Sequence, residues 1–225
     1  MTEKEIINIY KKYNVEASKR FGQNFLINPM VINKIINSDS VDSEEIIEIG
    51  PGLGSITKKL IEIGKPVTSY ELDRDMIKVI SNEISSDNFT LIEGDFLKKD
   101  ISHHNKASLI ANIPYYITSD IIFKLIDNFK IFKTATIMVQ KEVGERLIAS
   151  PGDSAFGKLT VLLGMYTTKI EKIILVPKNS FIPEPKVRSM VIKIYFKDDV
   201  DFTKKYISQF NLFVLECFMQ RRKTL

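Results

Sequence analysis

Ile46-Ile47-Glu48-Ile49-Gly50-Pro51-Gly52-Leu53-Gly54 is the stretch that decides the fold. An apolar strand runs into a turn carrying three glycines, and an amphipathic helix is predicted after it, over 55–63. Gly50 permits a tight exit from the strand, Gly52 lets a ligand approach the backbone, and Gly54 lets the helix pack closely. Read alone, such a triplet is equally compatible with a plain structural turn. Outward from it the pattern repeats. Apolar strands at 46–50, 67–71, 89–93, 107–111 and 134–139 alternate with helices over 55–63, 74–85, 119–128 and 141–149. That alternation marks a mostly parallel sheet with helices on its faces.

Towards the N-terminus, residues 1–27 read as a polar arm with one helix, Glu3–Tyr13, and Asn28-Pro29 reads as a helix cap followed by proline at the first helical position. Beyond Gly157 a helix near 158–165 precedes strands at 168–175 and 187–196, with a proline-bearing loop between them. A strand pair of this kind, the last strand antiparallel, closes the seven-stranded sheet of the Rossmann-like class I methyltransferase variant of the dinucleotide-binding fold. Residues 202–225 read as helical and end in a basic cluster. The expected division is an arm over 1–27, a main α/β domain over 28–198 and a helical segment over 199–225.

Composition narrows the function classes. No apolar run approaches the length needed to cross a bilayer, and no signal core follows Met1. The single cysteine, Cys217, sits in an apolar helical run and reads as a packing residue; it excludes an internal disulfide and fits the cytoplasm. The net charge of +4 is unevenly placed: residues 186–225 hold nine lysines and arginines against four acids. A basic end on a near-neutral body points to a polyanionic partner, although a solvated charged surface reads the same way.

Acids at the ends of successive strands give the turn its meaning. About 20 residues beyond the glycines, Glu71 is placed to take ribose hydroxyls, with Leu72 beside it, while Asp73 reads as a helix cap. The next strand ends in Glu93-Gly94-Asp95-Phe96, where Asp95 can accept a hydrogen bond from an adenine amine and Phe96 can border the base. The fourth strand leads into Asn112-Ile113-Pro114-Tyr115-Tyr116. An adenine N6 is a poor nucleophile because its lone pair is delocalised into the ring. The Asn112 oxygen and a backbone carbonyl at Ile113 or Pro114 can accept both N6 hydrogens, and Tyr115 can stack on a flipped-out base. His103 and His104 are adjacent on a loop, a poor geometry for one ion, so no metal site is expected.

The chain resembles the ribosomal small-subunit RNA adenine dimethyltransferases, relatives of the erythromycin-resistance methyltransferases. The likeness runs from about Lys19 to the last residue. It rests on Phe21-Gly22-Gln23-Asn24-Phe25-Leu26, the glycine turn, Glu71-Leu72-Asp73-Arg74-Asp75 and Asn112-Ile113-Pro114-Tyr115-Tyr116-Ile117-Thr118. It continues in Val139-Gln140-Lys141-Glu142-Val143, Phe181-Ile182-Pro183-Glu184-Pro185-Lys186-Val187 and Gln220-Arg221-Arg222-Lys223-Thr224-Leu225. The resemblance implies S-adenosyl-L-methionine as cofactor, S-adenosyl-L-homocysteine as product, and two adjacent adenines near the end of small-subunit RNA as target. It places Asn24 and Leu26 at the methionine end of the cofactor, with Gly50, Glu71, Asp95 and Asn112 completing the site; Gly52, Leu72 and Phe96 are expected cofactor contacts beside them. On the target adenine it places Asn112, Pro114, Tyr115 and a stacking Phe181; from the residues alone, Phe181 reads equally as a core plug. RNA contacts are expected from Lys19, Arg20, Lys186, Arg221, Arg222 and Lys223, and the partner is the small ribosomal subunit, met by a monomer. Two positions depart from the family, Glu184 where a proline is usual and Arg188 where an acid is common, and both flank the substrate side. The family continues past the basic cluster into a small helical domain, of which this chain is expected to carry only the start. The competing readings are a macrolide-resistance enzyme acting on large-subunit RNA and a non-catalytic assembly or transcription factor on the same fold.

Overall fold

The computed structural model describes residues 1–38, 43–200 and 204–219. In chain order the elements are α1 (Glu3–Tyr13), β1 (Phe25–Leu26), α2 (Pro29–Ile36), β2 (Glu45–Ile49), α3 (Thr57–Ile61), β3 (Val67–Glu71), α4 (Arg74–Glu83) and β4 (Phe89–Glu93). They continue with β5 (Ala107–Asn112), α5 (Thr118–Asp127), β6 (Phe132–Gln140), α6 (Lys141–Leu147), α7 (Lys158–Tyr166), β7 (Thr167–Val176), β8 (Phe181–Ile182), β9 (Ser189–Phe196) and α8 (Lys204–Met219).

Seven strands form one sheet in the order β4-β3-β2-β5-β6-β9-β7. The first five run parallel, and β9 inserts antiparallel to both β6 and β7. This is the Rossmann-like class I methyltransferase sheet expected from the sequence. Side-chain alternation assigns the two faces. Ile47, Leu109, Ala111, Ile137 and Ile192 point to one core, beneath Ile121, Ile122 and Leu125 of α5 and Leu162 and Leu163 of α7. Their neighbours Ile46, Ile110, Met138 and Val191 point the other way, beneath Val31, Ile32 and Ile35 of α2 and Leu60 of α3. Asn28 caps α2, accepting from the Met30 and Val31 amides, and Asp73 caps α4 through the Asp75 amide.

Four expectations need correction. The first 27 residues are less polar in their setting than in their composition: Ile6, Ile9, Val15 and Phe25 are buried against Leu53, Met76 and Val79. The amphipathic α1 therefore lies on α4 and the glycine turn. The proline-bearing loop contains β8, which pairs antiparallel with β1, Phe25 opposite Ile182 and Leu26 opposite Phe181. The helix after the glycines is shorter than predicted, because the chain turns through residues 52–56 before α3 begins. Finally, the apolar run around Cys217 is not one buried face. Val214 is buried, and Phe210 and Phe218 pack at the edge of the α7 core, but Leu212, Phe213 and Leu215 are exposed and Cys217 is only half-buried.

Candidate active site

The strand order reverses between β2 and β5, and a crevice opens there beyond the carboxyl ends of the parallel strands, where open α/β sheets bind ligands. The crevice and its open mouth together span about 1140 Å³. Asn24, Leu26, Gly50, Gly52, Glu71, Leu72, Asp95, Phe96 and Asn112 all line it, as do Pro114 and Tyr115. These residues come from five separate chain segments, which the sheet brings to one edge.

The glycine turn is built for close approach. Gly50 and Gly52 have φ of +67° and +56°, a region that side chains disfavour. A Cβ on Gly50 would meet nothing within 4 Å, so that backbone is open to a ligand. On Gly52 it would lie 3.0 Å from the Phe25 ring, so this glycine also makes room for β1. Gly54 was expected to allow close helix packing; a Cβ there would come within 2.8 Å of Ile84 and 3.1 Å of Ile80.

Glu71 is 6% exposed and held by three amides: Gly52 donates to Oε2 at 3.1 Å, and Leu72 and Asp73 donate to Oε1 at 2.9 and 3.0 Å. Burial raises its pKa, and the same amides oppose that rise. Asp95 uses Oδ1 to accept from the Leu97 amide at 3.0 Å, and Phe96 packs edge-on against Tyr70.

Sequence reasoning passed over Glu48. It is 2% exposed, lines the crevice, and accepts from Ser69 Oγ at 2.6 Å and Thr57 Oγ1 at 2.8 Å, both through Oε2. Burial pushes its carboxyl up to about 7, against those two hydrogen bonds and with the Glu71 charge adding to the rise. The crevice thus carries three acids and, among the described residues, no lysine or arginine. Ser55 also lines it, with a buried hydroxyl that finds no partner among the described residues. That charge balance suits a cationic nucleoside and disfavours a pyrophosphate.

Asn112 ends β5. Its Nδ2 donates to the Asn24 carbonyl at 3.0 Å, which leaves Oδ1 as the atom for a substrate amine. The Pro114 carbonyl already accepts from Ile117, at 3.2 Å, whereas no hydrogen bond among the described residues uses the Ile113 carbonyl. Tyr115 lines the crevice and is tied by its hydroxyl to Ser189 Oγ at 2.7 Å. Phe181, expected to stack on the target base, does not reach the crevice. It is 1% exposed and packs among Leu26, Val31, Ile110 and Val176, because β8 turns it inward opposite Leu26.

Lys19, Arg20 and Lys186 are exposed, and the Arg20 guanidinium stacks over Phe21, 5.5 Å from the ring centre. Arg221, Arg222 and Lys223 lie outside the described residues. His104 is buried, bonded to the Tyr70 hydroxyl at 2.7 Å and to Glu45 at 2.9 Å. Among the described residues no helix is long and apolar enough to cross a membrane.

The profile of the family described as "Ribosomal RNA adenine dimethylase" matches residues 14–225. Ribosomal RNA small subunit methyltransferase A of Mycoplasmopsis pulmonis is 48% identical over 94% of this chain and 82% of its own. The Clostridium acetobutylicum protein of the same name is 41% identical over 100% of this chain and 83% of its own. Among solved structures, a dimethyladenosine transferase from Plasmodium falciparum superposes with a TM-score of 0.81 at 35% identity, covering 89% of this chain and 73% of that one. The 23S rRNA methyltransferase ErmE shares the fold, with a TM-score of 0.73 at 24% identity over 89% of this chain and 81% of that one. With its sheet order, its nucleoside crevice and this match across most of its length, the chain belongs to the ribosomal RNA adenine dimethylase family.

Proposed function

We propose that the chain is a small-subunit ribosomal RNA adenine N6,N6-dimethyltransferase that uses S-adenosyl-L-methionine. The observation that carries the reading is the orientation of Asn112, whose amide is spent on Asn24 and whose oxygen is left for an amine. The cofactor supplies an electrophilic methyl on its sulfonium and leaves as S-adenosyl-L-homocysteine. The residues present fit it: Glu71 and Asp95 are acceptors for ribose and adenine, Gly50 offers open backbone, and Asn24, Leu26 and the Ser55 hydroxyl, which has no partner among the described residues, stand on the same crevice.

In the first transfer Asn112 Oδ1 and the Ile113 carbonyl, which no hydrogen bond among the described residues uses, accept the two N6 hydrogens. The proton N6 gives up passes to solvent after transfer, and in the second transfer one of the two acceptors holds the single hydrogen left. These contacts draw the nitrogen lone pair out of conjugation and aim it along the transfer axis. Tyr115 braces the base, Pro114 stiffens the turn, and walls of Ile49, Phe96 and Ile113 exclude water. Positioning of this kind supplies most of the acceleration. Lys19, Arg20 and Lys186 contact phosphates, which fix register without reading sequence. The enzyme meets the small subunit as a monomer, and the excess of lysine and arginine over acids in residues 186–225 adds to its attraction for RNA.

Radiolabelled S-adenosylmethionine offered with immature small subunits, or with protein-free large-subunit RNA, tests the reading. Label is expected in small-subunit RNA. Label confined to large-subunit RNA would move the chain to the resistance branch, and label in neither would leave only a binding role for the fold.

A further inference from the structure

Two adjacent tyrosines on the catalytic loop have opposite fates. Tyr115 is half-buried and tied to Ser189. Tyr116 lines the mouth of the same crevice, is 62% exposed, and its hydroxyl makes no hydrogen bond among the described residues. The backbone on either side of Tyr116 is held by three hydrogen bonds. Ile113 donates to the Met138 carbonyl, Ile117 donates to that of Pro114, and Thr118 Oγ1 donates to that of Tyr115, each at 3.2 Å. Gly22 lies beside the edge of the ring: a Cβ added there would sit 3.6 Å from Tyr116 Cε1 and 3.8 Å from Pro114 Cβ, at ordinary contact distance. Gly22, at φ +60°, closes a tight turn by donating to the Lys19 carbonyl at 3.1 Å. That turn carries Lys19 and Arg20 to the same lip, both exposed.

An exposed tyrosine on a loop is ordinary. An exposed ring at the rim of a base pocket, beside a turn that carries two exposed cations, has the parts of a nucleotide site. We propose that Tyr116 is the floor of a second base subsite, which stacks the unpaired nucleotide next in the RNA chain to the target adenine. Lys19 and Arg20 take the phosphate between the two. Tyr115 and Tyr116 are consecutive, so two consecutive bases are received by two consecutive rings, one inside the crevice and one at its rim. The proposal rests on the RNA-adenine reading above, and it adds a residue that sets the affinity and register of the substrate.

The test uses the full chain, Tyr116→Ala and Tyr116→Phe. A short single-stranded RNA carrying the fluorescent base 2-aminopurine next to an adenine reports stacking directly, whether or not transfer occurs. Wild type is expected to quench it, Tyr116→Ala to lose the quench, and Tyr116→Phe, which keeps the ring, to restore it. On immature small subunits Tyr116→Ala should raise KM roughly 10-fold, the loss of one base-stacking contact, with the effect in KM rather than kcat. Cofactor affinity, measured by calorimetry, shows that the variant is folded. Equal quenching by wild type and Tyr116→Ala would overturn the proposal, as would a fall in cofactor affinity that accounts for the whole loss. If wild type methylates no small subunit yet quenches the probe through Tyr116, the functional reading fails and the subsite stands.

Discussion

Asn112 Nδ2 and the Asn24 carbonyl oxygen lie 3.0 Å apart, joining positions 88 residues apart in sequence. The bond does two things: it fixes which way the amide points, and it fastens the N-terminal segment over the crevice. Asn112→Ala removes both the acceptor for N6 and this tie. Methyl transfer at saturating cofactor should fall on the order of 10²-fold or more, as for loss of a preorganised polar group at the reacting atom. Single-turnover rates checked against cofactor affinity separate the two effects; normal turnover at saturation would remove Asn112 from the chemistry.

Gly52→Val should abolish cofactor binding by a route that the sequence does not reveal. The new side chain meets strain at φ +56° and drives into the Phe25 ring, so β1 must move with it. Calorimetry should detect no S-adenosylmethionine binding, and the melting temperature should fall as well. Gly50→Ala probes the open side of the turn, where the added methyl meets only backbone strain and ligand. Unaltered affinity in both variants would make the turn purely structural.

Glu48 gives a dependence of stability on pH. Its carboxyl titrates near 7 in the folded chain against an ordinary 4.5. Between those values the folded state holds a proton that the unfolded state has released, so this group's contribution is full below about 4.5 and is lost as pH rises through 7. Glu48→Gln keeps an acceptor for Thr57 and Ser69 and never ionises. The melting temperature of this variant should gain on wild type from pH 4.5 to 8. An offset constant across that range would show that Glu48 does not titrate there.

Phe181→Ala distinguishes a core plug from a stacking ring. At 1% exposure, truncation should destabilise the chain by ~3–5 kcal/mol in urea unfolding. Phe181→Leu should recover much of that stability and with it the activity. Activity lost in the leucine variant at full stability would return Phe181 to the substrate.

The sequence made the parallel strands legible because Ile46–Ile49 and Leu109–Ala111 are buried on both faces and read as short apolar runs. Two acids at strand ends were legible because topology fixes what a carboxyl end faces. The β1–β8 pair was not, since two residues carry no periodicity and their partners lie some 155 positions apart. That same pairing buries Phe181, whose local setting was silent on which way it turns. Glu48 was missed because its partners Thr57 and Ser69 lie 9 and 21 residues on, on α3 and β3, and only packing brings them to it. The basic cluster Arg221-Arg222-Lys223 lies outside the described residues, so the grip expected there remains a matter of charge.

The most direct test is the identity of the product. Small-subunit RNA, incubated as immature particles with the enzyme and S-adenosylmethionine, is digested to nucleosides and resolved by mass spectrometry. N6,N6-dimethyladenosine should accumulate with wild type and be missing with Asn112→Ala. A methylated cytidine or guanosine, or an adenosine methylated on a ring nitrogen, would contradict a crevice built to present an adenine N6 to Asn112.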